Sequence, residues 1–279
     1  MSGTRPRPPL FRALGAAEPP PEVMIGDRAH TLVEVLKHDS WAATAIYADK
    51  AGRRAIAKFN RTQPALGLGM QWLGRRLASR ESRSLERLRG LPNVPEPCGA
   101  IRLEGRILWN AAARRFIPGH PLGSNERVND EFFPALSGLL REMHRRGIAY
   151  VDLHKRENIL VGDDGRPYLI DFQIGFDVTH PRVRWIPGIG ALFGILCRSD
   201  EYHLAKHAAR HRPDQLGAWQ DAARPWWINA HRTVAVPFRE LRRRLLVAAG
   251  IRSGAGRVQT ECAPEDAVRR ERDALRPAA

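Results

Sequence analysis

Three polar side chains near the middle of the chain have types and spacing that suit metal binding. Asp152, Asn158 and Asp171 are accompanied by two short apolar runs, 159–161 and 168–170, with a Gly-Asp-Asp-Gly turn between the runs. Such a pattern predicts a tight hairpin that brings Asn158, just before the first strand, beside Asp171, just after the second. Their oxygen atoms suit a hard cation such as Mg²⁺, which leaves coordination positions for phosphate oxygens. Asp152, one short loop upstream, is expected to face the same point.

The residues upstream of this hairpin predict a small, strand-rich unit that contains one helix. Three strands are expected within residues 31–60, and the third of them carries Lys58. Leucines at helical spacing predict a helix over residues 70–91, and two further strands are expected within 97–117. Residues 118–122, rich in proline and glycine, read as a hinge between this unit and the rest of the chain.

The residues downstream of the hinge predict a mostly helical unit. Apolar residues at a 3.6-residue period favour an amphipathic helix over 129–146, and residues 199–245 also favour helix. The longest apolar run, 185–197, is 13 residues long and too short to cross a membrane. It reads either as core helix packing or as an interfacial patch, with arginines around it.

The chain resembles the protein-kinase-like superfamily over roughly residues 30–220, most specifically in 147–173. Asp152-x₅-Asn158-Ile-Leu-Val, followed by Ile-Asp171-Phe-Gln, resembles the family's catalytic loop and metal-binding segment. The resemblance implies an α+β, two-lobe kinase-like fold with a small β-rich N-lobe and a mostly helical C-lobe. The expected divisions are a flexible leader at 1–28, the N-lobe at 29–118, the C-lobe at 119–249 and a tail at 250–279.

The resemblance also implies a site for ATP in the N-lobe. Ala-Ile-Ala-Lys58 is similar to the family's Val-Ala-Ile-Lys strand, whose lysine holds the α- and β-phosphates. Glu81, on the predicted helix, would orient that lysine, and Glu86 is the other candidate for this role. We favour Glu81 because the leucines that follow it match the family pattern.

In the C-lobe, the resemblance assigns the transfer chemistry to four residues. Asn158 and Asp171 would hold Mg²⁺, and Asp152 would accept the proton of the acceptor hydroxyl. Lys155, three residues before Asn158, would stabilise the migrating phosphate. His144, at the end of the preceding helix, is expected to be structural.

Two departures from the family pattern bear on these assignments. The first turn of the N-lobe, residues 38–41, contains no glycine, although the family uses a glycine-rich loop there. Asp152 lies six residues before Asn158, where the family spacing is five, and the usual position is occupied by Leu153. Either the loop bulges near His154 and Asp152 still reaches the acceptor, or the base is lost.

These features favour an ATP-dependent phosphotransferase of the atypical branch that includes RIO-like and lipopolysaccharide-kinase-like proteins. The acceptor would be a protein serine or threonine hydroxyl or a sugar of the lipopolysaccharide core. The alternative is a pseudokinase scaffold that binds nucleotide at a membrane surface without transferring phosphate.

The composition is consistent with a globular, strongly basic chain: 43% of its 279 residues are hydrophobic, and its net charge is +15. Such a charge indicates acidic partners, or only the bias of an arginine-rich proteome. Residues 239–246 predict a basic amphipathic helix that could contact anionic membrane. Nucleic acid is disfavoured because aromatic and basic residues are not interleaved. Three distant cysteines and no apolar signal core predict a cytoplasmic protein.

Overall fold

The computed structural model describes residues 8–64 and 68–215 of the chain. The predicted basic helix at 239–246 and the predicted tail at 250–279 lie outside these residues. Within the described residues, no helix is both long enough and apolar enough to cross a membrane.

The N-lobe is a curled antiparallel sheet with one helix against it. Its seven strands are ordered β6-β5-β1-β2-β3-β4-β7. The elements are β1 (Glu22–Ile25), β2 (Arg28–His38), β3 (Ala42–Asp49), β4 (Arg54–Asn60), α1 (Gln71–Arg87), β5 (Ile101–Leu103), β6 (Arg106–Ile107) and β7 (Ala111–Arg115). The predictions of three strands within 31–60 and of a helix over 70–91 are therefore confirmed.

Small side chains let the N-lobe pack closely. The first six residues of β3 are all buried, and four of them are alanine or threonine, so layers can approach the strand from both faces. Gly74 in α1 lies against the carbonyl of Arg61, where an added Cβ would come within 2.3 Å of the oxygen. Only glycine allows the helix to sit this close to the chain segment that follows β4.

The predicted flexible leader differs from the structure over its described part. Residues 22–25 form β1, which pairs with both β2 and β5 and so completes the sheet. Ala13 is fully buried, and the backbone N–H of Ala13 donates to the carbonyl of Asp39. The proline-rich segment that suggested flexibility instead contains a 3₁₀ turn at Pro9–Phe11 and then β1, and it binds the sheet through backbone hydrogen bonds.

The described part of the C-lobe, up to residue 215, consists of two long helices and three short strand pairings. Its core joins α2 residues to the hairpin and also contains Leu85 and Leu88 from the end of α1. The elements are β8 (Gly119–Pro121), α2 (Phe132–Arg145), β9 (Ile148–Ala149), β10 (Ile159–Gly162), β11 (Pro167–Leu169), β12 (Phe176–Asp177) and α3 (Ile189–His211). The predicted hairpin is β10–β11, and the predicted helix over 129–146 is α2.

The segment predicted as a hinge pairs with the C-lobe. Residues Gly119–Pro121 form β8, which runs antiparallel to β10 with His120 opposite Val161. The two lobes are thus connected directly from β7 into the small C-lobe sheet, and the hairpin that carries Asn158 and Asp171 is fixed against the connection.

Candidate active site

A cleft of about 880 Å³ lies between the lobes, and its lining includes every residue assigned above to nucleotide, metal or catalysis. The N-lobe contributes Lys58 and Glu81 to the walls. The C-lobe contributes Asp152, Lys155, Asn158 and Asp171. Residues separated by as many as 113 positions in the chain therefore converge on one cavity.

Lys58 lies between two acids that come from different lobes. Its Nζ is 2.8 Å from Asp171 Oδ1 and 3.7 Å from Glu81 Oε2. Burial disfavours the charged ammonium, but Asp171 and Glu81 together outweigh burial and raise the pKa of Lys58. Lys58 is therefore a fixed positive charge inside the cleft at every physiological pH.

The pKa values of the two acids around Lys58 are shifted in opposite directions. Burial raises the pKa of Glu81 more than the Lys58 charge lowers it. For Asp171, burial also favours the protonated form, but the ammonium of Lys58 outweighs it and lowers the pKa. The shorter contact to Lys58 belongs to Asp171, which explains why the charge of Asp171 is the better stabilised.

Of the two glutamates considered on the helix, only Glu81 faces Lys58. Its side chain is 4% exposed, whereas that of Glu86 is 49% exposed. Glu86 lies on the outer face of α1 and pairs with Arg89 at 2.8 Å. The helix turns by about 100° per residue, so positions five apart point in clearly different directions.

Asp152 lies inside the cleft in spite of its unusual spacing. Its side chain is 2% exposed, and Oδ2 accepts hydrogen bonds from Lys155 Nζ at 2.7 Å and Asn158 Nδ2 at 2.9 Å. The carboxylate is thus held by the two residues that the sequence also assigns to the transfer step.

Two consecutive turns accommodate the extra residue of the loop. The N–H of Lys155 donates to the carbonyl of Asp152, and residues Arg156–Asn158 form a 3₁₀ turn. Leu153 is fully buried in the C-lobe core, so the residue at the usual position of the base serves packing. His154, near which a bulge was predicted, lies 3.4 Å from Asp152 Oδ1.

Sequence reasoning missed Asp200, a fully buried acid in α3 that holds the start of the loop. Its carboxylate accepts the backbone N–H of Tyr150 at 2.7 Å and of Val151 at 2.8 Å, and contacts His144 at 3.1 Å. Val151 has φ 71°, a conformation that costs a β-branched residue appreciable energy. No motif surrounds Asp200 in the sequence, so only its packing reveals this role.

The hairpin brings Asn158 and Asp171 to one end of the small sheet, as predicted. Ile159 is opposite Leu169, and the N–H of Ile170 donates to the carbonyl of Asn158 at 3.1 Å. Asp171 has φ 62°, a left-handed conformation that aspartate tolerates better than most residues. It turns the chain at the end of the strand.

The chemistry of this end of the cleft fits a divalent cation bound with phosphates. Asn158 and Asp171 offer hard oxygen ligands, and two protein ligands are typical of a magnesium ion that also binds phosphate. Asp152 Oδ1 and Glu81 Oε2 are buried and make no hydrogen bond among the described residues. Their contacts to basic groups are long, 3.4 Å to His154 and 3.7 Å to Lys58, so a cation or a donor group in the cleft would satisfy these oxygens better.

The turn between β2 and β3 closes over the cleft without glycine. Asp39 Oδ1 accepts hydrogen bonds from the backbone N–H groups of Trp41 at 2.7 Å and Ala42 at 2.9 Å. Lys37, Asp39, Trp41 and Ala42 all line the cleft. This turn occupies the place of the glycine-rich loop that the kinase resemblance implies.

No protein-family model matches the chain, and no curated protein sequence matches it. One similar solved structure is the Rio2 kinase–ADP/Mg²⁺–phosphoaspartate complex from Chaetomium thermophilum. It superposes with a TM-score of 0.50 at 18% identity and covers 88% of this chain and 72% of that chain. A second Rio2 kinase structure from the same organism has a TM-score of 0.48 at 17% identity. That alignment covers 64% of this chain and 57% of the Rio2 chain, so this chain spans little more than half of it.

The likeness to the Rio2 complex concerns the fold. A curled antiparallel sheet with one helix is followed by a mostly helical part, with a cleft between the two. The predicted α+β, two-lobe protein-kinase-like fold is therefore confirmed, and the chain has the fold of a Rio2 kinase.

Proposed function

We propose that this protein is an ATP-dependent phosphotransferase that moves the γ-phosphate to a hydroxyl group. The observation that carries the proposal is the position of Asp152: its buried carboxylate contacts both Lys155 and Asn158 in the cleft that also holds Lys58. These contacts hold the carboxylate at the cleft, in a position from which it could accept a proton.

In this proposal, a basic residue of the cleft would bind the phosphates, and side-chain oxygens would bind the metal. Lys58 would bind the inner phosphates, with Glu81 keeping its ammonium in place, and Asn158 and Asp171 would hold Mg²⁺. The metal would supply neutralisation of the phosphate charge during transfer. In this structure, Asp171 contacts Lys58 through one oxygen. A bound nucleotide with its metal would replace this contact, because the phosphates would bind Lys58 and the metal would bind Asp171.

Asp152 would act on the acceptor. Its carboxylate would accept the hydroxyl proton as the acceptor oxygen attacks, and Lys155 Nζ would stabilise the phosphoryl group between donor and acceptor. Lys155 is half exposed, which lets its ammonium leave Asp152 for an incoming phosphate. The acceptor would be a protein serine or threonine or a lipopolysaccharide core sugar, and the chain would act in the cytoplasm.

The Asp152→Asn variant tests this proposal. We expect phosphate transfer from γ-labelled ATP, to envelope glycolipid or to soluble protein of a cell extract, to fall at least about a hundredfold. ATP affinity should change little because Asn keeps the shape and the acceptor oxygen of the side chain. Asp27→Asn, which alters a fully exposed acid of the β1–β2 turn, is the matched control.

Undiminished transfer by Asp152→Asn would contradict the assigned role of the base. Absence of ATP binding by the unaltered protein would contradict the proposed function as a whole.

A second candidate is a scaffold that binds nucleotide at an anionic membrane without transferring phosphate. It is favoured by an exposed apolar group at the start of α3, where Trp185 is 77% exposed and Ile186 is 49% exposed. The guanidinium of Arg184 lies 4.6 Å from the Trp185 ring. ATP binding without labelled product in either cell fraction would favour this candidate.

A further inference from the structure

Lys37 and Lys58 lie on the same face of the N-lobe sheet, on two strands that flank β3. In the register of the strands, Lys37 is opposite Thr44, and Thr44 is opposite Lys58. Directly opposed residues on neighbouring strands project to the same face of a sheet. All three residues line the cleft, and strand spacing places the backbones of the two lysines roughly 10 Å apart.

A β-bulge explains how Lys37 comes to face the cleft. The register of β2 against β3 shifts between Val35 and Lys37, and Leu36 is the residue left over. Leu36 is 2% exposed and packs with Ile46 and Ile56, and Ile56 lines the cleft. In a regular strand, adjacent residues point to opposite faces, so the bulge is what re-aims Lys37.

The β2–β3 turn already uses three of its backbone N–H groups within the turn itself. The two N–H groups at its end donate to Asp39 Oδ1, and the N–H of Asp39 donates to the carbonyl of Ala42. The carboxylate would also repel a phosphate, but it lies 2.6 Å from Lys37 Nζ. Lys37 outweighs the burial of Asp39 and, with the two N–H donors, lowers the pKa of that acid.

The amino-terminal segment keeps the turn in this closed form. Ser40 Oγ donates to the carbonyl of Phe11, and the N–H of Ala13 donates to the carbonyl of Asp39. Arg61, which is 5% exposed, donates to the carbonyls of Ser40 and Leu10 and so ties the turn to this segment. Opening the turn to release its amides would break all of these bonds.

We propose that Lys37 is a second nucleotide-binding residue, which contacts the phosphate chain in place of the backbone amides of a glycine-rich loop. This inference rests on the proposed function, because it takes the nucleotide to be the ligand of the cleft. The ammonium is 43% exposed and already held over the cleft by Asp39, so it can bind a phosphate oxygen without leaving the turn. Asp39 then serves as a positioning residue for Lys37.

Calorimetric titration with ATP, ADP and adenosine, each with Mg²⁺, tests the role of Lys37. We expect Lys37→Ala to weaken ATP and ADP about tenfold or more, the loss of one charge-assisted contact. Adenosine affinity should stay within about twofold, because adenosine has no phosphate for the ammonium to bind. Lys37→Arg should restore most of the ATP affinity.

Lys50→Ala is the matched control, since it removes an exposed lysine from the neighbouring β3–β4 turn. Lys37→Gln repeats the test with a side chain of similar length, should the alanine variant unfold. Equal weakening of adenosine and ATP, or an unchanged ATP affinity in both variants, would overturn the role of Lys37. If the Lys37 variants give one of these results while the unaltered protein still transfers phosphate, only the role of Lys37 is overturned and the proposed function stands. If it binds no ATP, the inference and the proposed function both fail.

Discussion

The charges of single residues decide whether the cleft can bind a nucleotide. Lys58 contacts acids from both lobes, and its contact with Asp171 is shorter than its contact with Glu81. A nucleotide with its metal would compete for Asp171, whereas Glu81 would remain with Lys58. The Lys58–Glu81 pair, although it is the longer of the two, is therefore the one that must hold the ammonium when nucleotide is bound.

Glu81→Gln should lower kcat/KM for phosphate transfer about tenfold, because a neutral amide no longer orients Lys58 by charge. Glu86→Gln is the matched control on the same helix, and we expect its kcat/KM to stay within about twofold of the unaltered value, since Glu86 pairs with Arg89 on the surface. Steady-state kinetics with varied ATP measures both. A larger loss in Glu86→Gln would reverse the assignment of the two glutamates.

At the scale of elements, side chains of α3 hold the loop that carries Asp152. Asp200 binds the backbone of Tyr150 and Val151, and seven residues later His207 Nε2 donates to the carbonyl of Leu153 at 2.8 Å. Positions seven apart lie on one face of a helix, so both side chains reach the same loop. Loop geometry therefore depends on how α3 packs.

His207 should make the stability of the protein fall with acidification. Burial is the main cause that lowers the pKa of His207 to about 4, from 6.5. Its contribution is fully present above pH 6.5 and is lost as the pH falls toward 4, because the unfolded chain takes up the proton first. We expect His207 alone to account for about 1–2 kcal/mol of lost unfolding free energy between pH 7 and pH 5.

Urea unfolding at several pH values measures this effect. His207→Gln keeps a donor for Leu153 but cannot titrate, so the stability of this variant should depend less steeply on pH. His180→Gln, in the loop before α3, is the control and should keep the original slope. An unchanged slope in His207→Gln would show that other groups cause the acid sensitivity.

At the scale of the whole molecule, the protein combines a net charge of +15 with a group of exposed apolar side chains near the start of α3. Trp185 and Ile186, just before α3, and Leu192, in its first turn, are between 43% and 77% exposed, and the guanidinium of Arg184 lies over the Trp185 ring. Apolar side chains beside arginine are the features by which a protein surface binds anionic lipid. The sequence left core packing and interfacial contact open for this stretch, and the exposure favours the second.

A double substitution, Trp185→Ser with Ile186→Ser, should reduce sedimentation with vesicles that contain phosphatidylserine by about fivefold or more, through lost apolar burial. Trp109→Ser is the control, because Trp109 is also exposed, at 64%, but lies in the N-lobe. Equal binding by the double variant would exclude this group as the membrane contact. Binding to uncharged vesicles at the same level would exclude the electrostatic part.

Local sequence patterns were sufficient for several elements, although not for β1 or β8, and for most of the candidate site. The strands within 31–60, helices α1 and α2 and the β10–β11 hairpin follow from periodicity and turn residues that operate over a few positions. The same is true of Asn158 and Asp171, whose proximity needs only a tight hairpin. These features are encoded within short segments, so the sequence alone determined them.

Only the tertiary structure decided which side chains share the cleft. The choice of Glu81 over Glu86, the position of Asp152 beside Lys155, the anchoring by Asp200 and the orientation of Lys37 all depend on contacts made by packing. The strand within the predicted leader, 22–25, likewise depends on pairing with β5, far along the chain. Periodicity predicts which face of an element is apolar. It does not specify which distant residue the polar face will contact, because that contact depends on how the elements pack.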